Sequence, residues 1–175
     1  MMKLYRELFS SDILNLFSDY SKEGTKKIED MEISENDISI DIDRILAAMH
    51  ISVGETLLDS FSEKTESGDF IINVDIAESP EEKRCTKAYE MVRLLLPDAS
   101  SKEASEFAME ILMPKNLVAI AVDLYQARKN LTDSELEKEN PMMFTILLAR
   151  EMKVPVSAMR QRLIELNVLV YEQKK

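Results

Sequence analysis

Few side chains in this sequence are strong metal ligands or nucleophiles. His50 is the only histidine and Cys85 is the only cysteine. A single cysteine allows no intramolecular disulfide and no zinc cluster built from thiolates. A single histidine excludes an HExxH zinc site, a facial triad and a zinc finger. Any Ser-His or Cys-His catalytic pair would have to include His50, which lies at the end of a predicted helix, where a packing or helix-dipole role is expected.

Tyr89, Glu90, Arg93 and Glu103 lie in two predicted helices, where spacing offers ordinary structural explanations for them. Tyr89 and Arg93 are four residues apart, so they would lie on one face of a helix and can form an exposed pair there. Glu103 follows Ser100 by three residues, which is the spacing of a capping box and by itself explains a glutamate at that position. A binding site and an ordinary helix surface therefore remain open alternatives.

Composition and charge narrow the class of protein. Of the 175 residues, 45% are hydrophobic and 31% charged, so the chain can bury a sizeable core without disulfides. Its 22 basic and 33 acidic residues give a formal net charge of −11, which repels nucleic acid and anionic membranes. Residues 141–175 are the exception, because their six basic and three acidic residues give them a charge of +3.

The apolar residues form no targeting or membrane segment. Charged residues interrupt Met1–Tyr20, so no signal peptide is predicted there. No stretch reaches the roughly 18 apolar residues of a membrane span. Together with the single cysteine, this pattern predicts a cytoplasmic protein.

Hydrophobic spacing predicts a mostly helical chain. It predicts one or two amphipathic helices over 4–17, whereas the polar stretch 21–37 is predicted to be a linker. Capping signals predict that helices begin at Ser79 and at Ser100. Two apolar stripes over 141–166, separated by a proline-containing turn, predict a helix-turn-helix-like pair.

Extended segments are predicted in four places. β-branched and aromatic residues mark a strand over 70–76, and the stretches 51–53, 57–61 and 168–171 also look extended. The stretches 51–53, 57–61 and 70–76 predict a small sheet of two or three strands packed on a central helix. The expected fold class is therefore α+β with helices predominating.

The same patterns divide the chain into three parts. Residues 1–37 are expected to form an N-terminal helical extension and linker. Residues 38–140 are expected to form the domain that holds the sheet and the central helix. Residues 141–175 are expected to place the helix-turn-helix-like pair against that domain.

Three stretches of the sequence, in the same order, resemble the ImmA/IrrE metallopeptidases. Residues 84–96, RCTKAYEMVRLLL, look like the family's central helix, R-F-T-x-A-H-E-x-x-H-x-L-L, which carries its zinc site. Residues 103–114, EASEFAMEILMP, resemble the family's E-A-N-x-F-A-x-x-L-L-M-P run, which supplies a third ligand. Residues 148–163 resemble its C-terminal run. The resemblance covers about residues 38–170 and implies a zincin-like scaffold.

The departure from the family lies at the zinc ligands. Where the family has two histidines, this chain has Tyr89 and Arg93. A phenol is mostly protonated at neutral pH, and a guanidinium has no lone pair to give. Glu90 stands at the general-base position and Glu103 at the third-ligand position. The resemblance thus implies a scaffold that has lost its metal, with no catalytic residue, zinc or other cofactor expected.

In such a scaffold we expect Arg93 to take over the role of the cation. Without a metal, the carboxylates of Glu90 and Glu103 would face each other, and like charges destabilise such a pair. A guanidinium can satisfy both by charge-assisted hydrogen bonds. We therefore expect a contact between Arg93 and Glu103, with Glu90 close by.

The resemblance implies a regulatory role. ImmA/IrrE proteins typically come from bacteria, phages and mobile elements, and they act on or near helix-turn-helix repressors, relieving repression by cleavage. A metal-free relative is expected to be a pseudo-peptidase that binds such a repressor, or another regulator, without cutting it. The alternatives are an active peptidase with unorthodox ligands, a DNA-binding regulator that uses the C-terminal helix pair, and a function in the unmatched N-terminal segment. Net charge disfavours nucleic acid as a partner.

Restoring the two histidines tests this interpretation of the scaffold. The double substitution Y89H/R93H should create a zinc site of two imidazoles and the Glu103 carboxylate. Elemental analysis should then find about one zinc per chain, whereas the unchanged chain should hold none. Zinc should also raise the melting temperature of the variant, because it binds only the folded state. Zinc binding that is absent, or that survives Glu103→Ala, would show that the three positions do not converge.

Overall fold

The computed structural model describes residues 3–33, 37–136 and 139–169. In chain order its elements are β1 (Lys3–Leu4), α1 (Tyr5–Leu8), α2 (Ser11–Tyr20), α3 (Lys22–Glu29), β2 (Glu32–Ile33), α4 (Ile42–Ala48), β3 (Ile51–Thr56), β4 (Phe61–Lys64), β5 (Phe70–Asp75), α5 (Pro80–Leu95), α6 (Ser101–Leu112), α7 (Lys115–Lys129), α8 (Asp133–Leu136), α9 (Pro141–Met152) and α10 (Val156–Glu165). About 60% of the described residues are helical. The predicted α+β class, with helices predominating, is confirmed.

A three-stranded sheet packs against α5. Its strand order is β3-β5-β4, with β3 parallel and β4 antiparallel to the central strand β5. Ile72 and Val74 of β5 are buried, following the two-residue period of a strand. Ser62 of β4 pairs with Ile72, and its hydroxyl donates to Glu90 of α5, so this face of the sheet is the one that α5 covers. The predicted small sheet beside the central helix is therefore present.

The extended prediction for 57–61 is wrong for its first four residues. Residues 57–60 form the connection between β3 and β4, and only Phe61 belongs to a strand. The Ser60 hydroxyl accepts from the backbone N–H of Asp75 at 2.8 Å. At this point the Ser60 hydroxyl, and not the backbone of a paired strand, accepts the hydrogen bond from Asp75. The prediction over 168–171 fails at its first two residues, which are not in a strand, and its last two lie outside the described residues.

The predicted N-cap at Ser79 and the predicted capping box at Ser100 both form, and the structure adds a capping box at Ser79. At the start of α5, the Ser79 hydroxyl accepts from the backbone N–H of Glu82, and the Glu82 carboxylate accepts from the backbone N–H of Ser79 at 2.8 Å. Ser100 and Glu103 repeat the arrangement at the start of α6. These reciprocal bonds satisfy N–H groups that the first turn of a helix leaves without partners. They determine where the two helices begin.

The prediction of a linker over 21–37 is wrong where the structure describes this segment, which excludes residues 34–36. The segment contains α3, which is capped by Ser21, whose hydroxyl accepts from the backbone N–H of Gly24 at 3.0 Å. Ile28 is fully buried. A Cβ on Gly24 would lie 2.7 Å from the carbonyl oxygen of Ala48, so α3 packs closely against the end of α4. The stretch has few apolar residues, but the helical period places them on one face.

The rest of the N-terminal segment also belongs to the main core. Tyr5, Phe17 and Ile28 lie in the same cluster of buried residues as Ile72 of the sheet. The backbone N–H of Asp41, just before α4, donates to the Tyr5 hydroxyl at 2.8 Å. Residues 3–33 are therefore packed into the structure and do not form a separate extension.

The C-terminal helix pair is present as α9 and α10. Lys153 adopts a left-handed conformation with φ of 53° and ends α9. Its carbonyl oxygen accepts from the Arg84 guanidinium at 3.0 Å, and its ammonium lies 2.6 Å from Asp37. The Arg162 guanidinium donates to the carbonyl oxygen of Met113 at 3.0 Å. These bonds hold the pair against α5 and the end of α6.

Among the described residues, no helix combines the length and apolar composition that crossing a membrane requires. The described helices instead have one buried face and one polar face, as in α2 and α6. This pattern is typical of helices that pack on a core and face water on the other side.

Truncating Ile28 tests whether the segment 21–33 contributes to stability. Ile28→Ala should lower the free energy of unfolding by about 2–5 kcal/mol, because the side chain is fully buried. Ile164→Ala removes the same atoms from a side chain that is 44% exposed on α10, so it should cost no more than about 0.5 kcal/mol. Urea denaturation of the three proteins measures both changes. Equal losses would mean that α3 is not packed as described.

Candidate functional site

Helix α5 places three of the four predicted site residues within one turn. Glu90 is buried on the side that faces the sheet, whereas the Arg93 side chain is 57% exposed. Tyr89 is half-buried. A helix advances about 100° per residue, so neighbours at 89 and 90 point in different directions. The Glu90 carboxylate therefore faces the sheet, whereas Tyr89 and Arg93 are more exposed on the helix surface.

The buried Glu90 carboxylate is held by the sheet. The Ser62 hydroxyl of β4 donates to one of its oxygens at 2.6 Å. The other oxygen lies 3.9 Å from a guanidinium nitrogen of Arg93. A buried carboxylate needs such partners because removing it from water is costly. Glu90 thus joins the central helix to the edge strand of the sheet.

Arg93 and Tyr89 form a pair on the helix surface. The guanidinium carbon lies 5.9 Å from the centre of the Tyr89 ring, which is within the range of a cation–π contact. This is the exposed pair that the four-residue spacing allowed. Neither group suits a zinc ion, because the guanidinium offers no lone pair and brings a positive charge. The two positions do not fit the metal that the family resemblance would place there.

Glu103 serves as the capping residue of α6. Its carboxylate accepts from the Ser100 backbone N–H at 2.9 Å and from the Ser100 hydroxyl at 2.7 Å. Bonds from that hydroxyl and then that N–H hold the pKa of the Glu103 carboxyl below its ordinary value. They favour the charged form, so the cap is weakened as the pH falls through this lowered pKa. Glu103 thus forms the capping box that its spacing from Ser100 predicted.

The expected ion pair between Arg93 and Glu103 does not form in the part of the chain that the structure describes. Arg93 pairs with Glu90, its neighbour one turn earlier on the same helix. Glu103 pairs with Ser100, its neighbour in the capping box. Glu90 has Ser62 of β4 and Arg93 as partners, and Glu103 has Ser100. Glu103 therefore does not depend on the Arg93 guanidinium of α5.

The single histidine and cysteine lie away from any cluster of ligands. Within residues 3–33, 37–136 and 139–169, no group of three His, Cys, Asp or Glu side chains is placed to hold a metal ion. His50 is exposed and has a left-handed backbone with φ of 57° after α4. Burial raises the pKa of the Cys85 thiol to about 11, so it stays protonated and is a poor nucleophile at neutral pH.

A hydrogen-bonded group next to the site was not predicted from the sequence. The Glu78 carboxylate accepts from the Ser60 hydroxyl at 2.7 Å and from the Thr86 hydroxyl at 2.7 Å. It ties the connection between β3 and β4 to the first half of α5. Ser62 was also missed. The alternation of β4 could have placed Ser62 on the same face as Ile72, but its partner Glu90 lies 28 residues away.

Two basic residues of the C-terminal pair, Lys153 and Arg162, already have partners within the chain. Lys153 pairs with Asp37, and the Arg162 guanidinium bonds Met113 and lies 3.4 Å from Glu165. The side chain of Arg162 is largely covered. Phosphate binding needs accessible cations, so these contacts disfavour the alternative of a DNA-binding regulator.

Comparisons of this chain with protein-family models, with curated proteins and with solved structures give no match. A proposal about function therefore rests on the chain's own residues and their contacts. Those contacts bring Tyr89, Glu90 and Arg93 together on α5 and leave Glu103 in its cap. Such an arrangement can hold a sheet against a helix and present a cationic, aromatic surface.

Substitutions at Glu90 and Arg93 separate the buried contact from the exposed one. Glu90→Ala should lower the free energy of unfolding by about 1.5–3 kcal/mol, since it removes a charge-assisted hydrogen bond in a buried setting. Arg93→Ala should cost only about 0–1 kcal/mol, because the pair is open to water. Urea denaturation measures both. Comparable losses for the two variants would contradict the burial of Glu90 and the exposure of Arg93.

Proposed function

We propose that this chain is a catalytically inactive relative of the ImmA/IrrE metallopeptidases that regulates by binding a protein, and that its partner is a helix-turn-helix repressor of a phage or mobile element. The observation that carries the proposal is the pair Tyr89 and Arg93 at the positions of the family's histidines. Around that pair the sequence keeps the family's pattern, including Glu90 and the run that ends in Leu112-Met113-Pro114. A scaffold that keeps the family's sequence pattern but lacks its zinc-ligating histidines is suited to binding another protein without cleaving it.

The contacts of the site support the loss of catalysis. A peptidase needs an accessible carboxylate to act as general base for metal-bound water. Glu90 is buried and hydrogen-bonded to Ser62, and its second oxygen faces Arg93. Glu103 has Ser100 as its partner. Each carboxylate that would serve the metal in the family has a structural role in this chain.

The rest of the chain supports a partner that is a protein. The net charge of −11 opposes direct binding to nucleic acid. In the C-terminal helix pair, the basic side chains of Lys153 and Arg162 have partners within the chain. A regulator of this kind would act on repression by occupying the repressor, without cleaving it. Its place of action would be the cytoplasm, where repressors meet DNA.

Capture of the partner in the native host tests the proposal. The full-length chain, tagged and produced at its normal level, should retain a helix-turn-helix repressor in roughly equal amount. The intact mass of that repressor should stay unchanged when the two purified proteins are incubated together with zinc. Specific binding should be measured on the purified pair by calorimetry. Absence of any such repressor among the captured proteins, or its cleavage, would contradict the proposed function.

A further inference from the structure

Four large apolar side chains lie exposed at one end of the three-stranded sheet. Leu57 is 83% exposed, Leu58 71%, Ile76 49% and Phe61 38%; we call these four residues the apolar loop patch. Single exposed apolar residues are ordinary on protein surfaces. A group of them at one place costs solvation free energy and is typical of a surface that binds another molecule.

Hydrogen bonds bring the members of the apolar loop patch together. The Thr56 carbonyl oxygen accepts from the backbone N–H of Ile76 at 3.0 Å. The Thr56 hydroxyl accepts from the backbone N–H of Leu58 at 3.1 Å. One residue at the end of β3 thus lies between the leucines of the loop and the isoleucine that follows β5. Leu58 and Ile76 are thereby both held next to Thr56.

The other end of the loop is held as well. The Ser60 hydroxyl accepts from the backbone N–H of Asp75 and donates to the Glu78 carboxylate. Phe61 begins β4 and lies on the face of the sheet opposite α5, because its neighbour Ser62 points toward Glu90. The backbone of the loop is therefore anchored on both sides while its two leucines remain in water.

The surroundings of the patch are acidic. Four acidic residues, Glu55, Asp59, Asp75 and Glu78, lie at this end of the sheet or in the connections beside it, and one of them, Glu55, pairs with Lys83 at 3.1 Å. Asp59 stands between Leu58 and Ser60 in the loop itself. A second copy of the same patch would bring like charges together, which disfavours a symmetric contact through it. Anionic membrane surfaces are repelled for the same reason.

We propose that the apolar loop patch is the docking surface for a basic protein face, on which lysine or arginine side chains surround apolar ones. The inference rests on the proposed function in one respect: the DNA-contacting face of a helix-turn-helix repressor is basic, since it neutralises phosphates. Docking there would cover the surface that the repressor uses for its operator. Repression would then be relieved by competition with DNA.

A synthetic probe tests the docking chemistry without the repressor. The probe is a helical peptide with a leucine stripe flanked by lysine and arginine, and its control has glutamate at every basic position. Titrated into the full-length, ¹⁵N-labelled chain, the basic peptide should shift the amide resonances of residues 57–61 and 76. Its binding should weaken with added salt, and the acidic peptide should not bind. Shifts confined to other regions would overturn the proposal.

Paired substitutions assign the binding to the patch. L57E/L58E should weaken binding of the basic peptide by at least about tenfold, although it adds negative charge. M142E/M143E is the matched control, because it changes two adjacent apolar residues that are 56% and 51% exposed on α9. The control should bind the peptide no more weakly than the unchanged chain. Circular dichroism should show both variants folded, since all four positions are exposed. Equal affinities for the two variants would overturn the proposal.

Two further outcomes identify other occupants. Self-association of the unchanged chain in light scattering, lost in L57E/L58E, would assign the patch to a second copy and overturn the proposal. Binding of the unchanged chain to phosphatidylcholine vesicles, lost in that variant, would assign it to a membrane and overturn it equally.

The captured repressor separates this inference from the proposed function. A repressor that binds the unchanged chain and L57E/L58E equally well would leave the proposed function standing and overturn the docking surface. Binding of the basic peptide at the patch, with no repressor captured from the host, would support the docking surface and overturn the proposed function. Displacement of operator DNA from the repressor by the unchanged chain, and not by L57E/L58E, is the result expected if both hold.

Discussion

The position of the central helix depends on Arg84. Its guanidinium donates to the carbonyl oxygen of Lys153 at 3.0 Å and to that of Ile40 at 2.6 Å. One side chain near the start of α5 thus joins the segment before α4 to the turn between α9 and α10. Only a planar, forked cation reaches two backbone oxygens in this way, and a lysine would offer a single point charge. Because α5 carries the candidate site and supports the sheet, both depend on this contact.

The second contact that organises the site runs from the helix to the sheet. The bond from Ser62 to Glu90 connects the edge strand β4 to the middle of α5. A carboxylate at this position has two very different uses. Beside a metal it can act as a base, and with a hydroxyl partner in a closed setting it holds two elements together. The chemistry of positions 89 and 93 decides between these uses, since a phenol and a guanidinium do not bind zinc.

The same sheet links the two proposals. On the side of α5 it is closed by the buried Ile72 and Val74 and by the bond to Glu90. At the end where β3 and β5 stop, the connection that follows β3 carries two exposed leucines, and acidic residues lie close to them in the sequence. Under the proposed function the chain needs no substrate cleft, whereas it still needs a binding surface of defined shape and charge. The apolar loop patch has the anchored backbone that such a surface requires, and anchoring lowers the entropy lost on binding.

The sequence by itself determined the features that depend on near neighbours. The caps at Ser79 and Ser100, the strand Phe70–Asp75 and the absence of imidazoles at 89 and 93 all follow from residue types within a few positions. Tertiary structure decided the rest. The burial of Ile28, the partner of Glu90 and the two oxygens that Arg84 reaches join residues that lie tens of positions apart. Tertiary structure also decided that Arg93 pairs with Glu90 and not with Glu103. This pairing depends on which other partners the two carboxylates have in the folded chain, and a local sequence pattern does not show them.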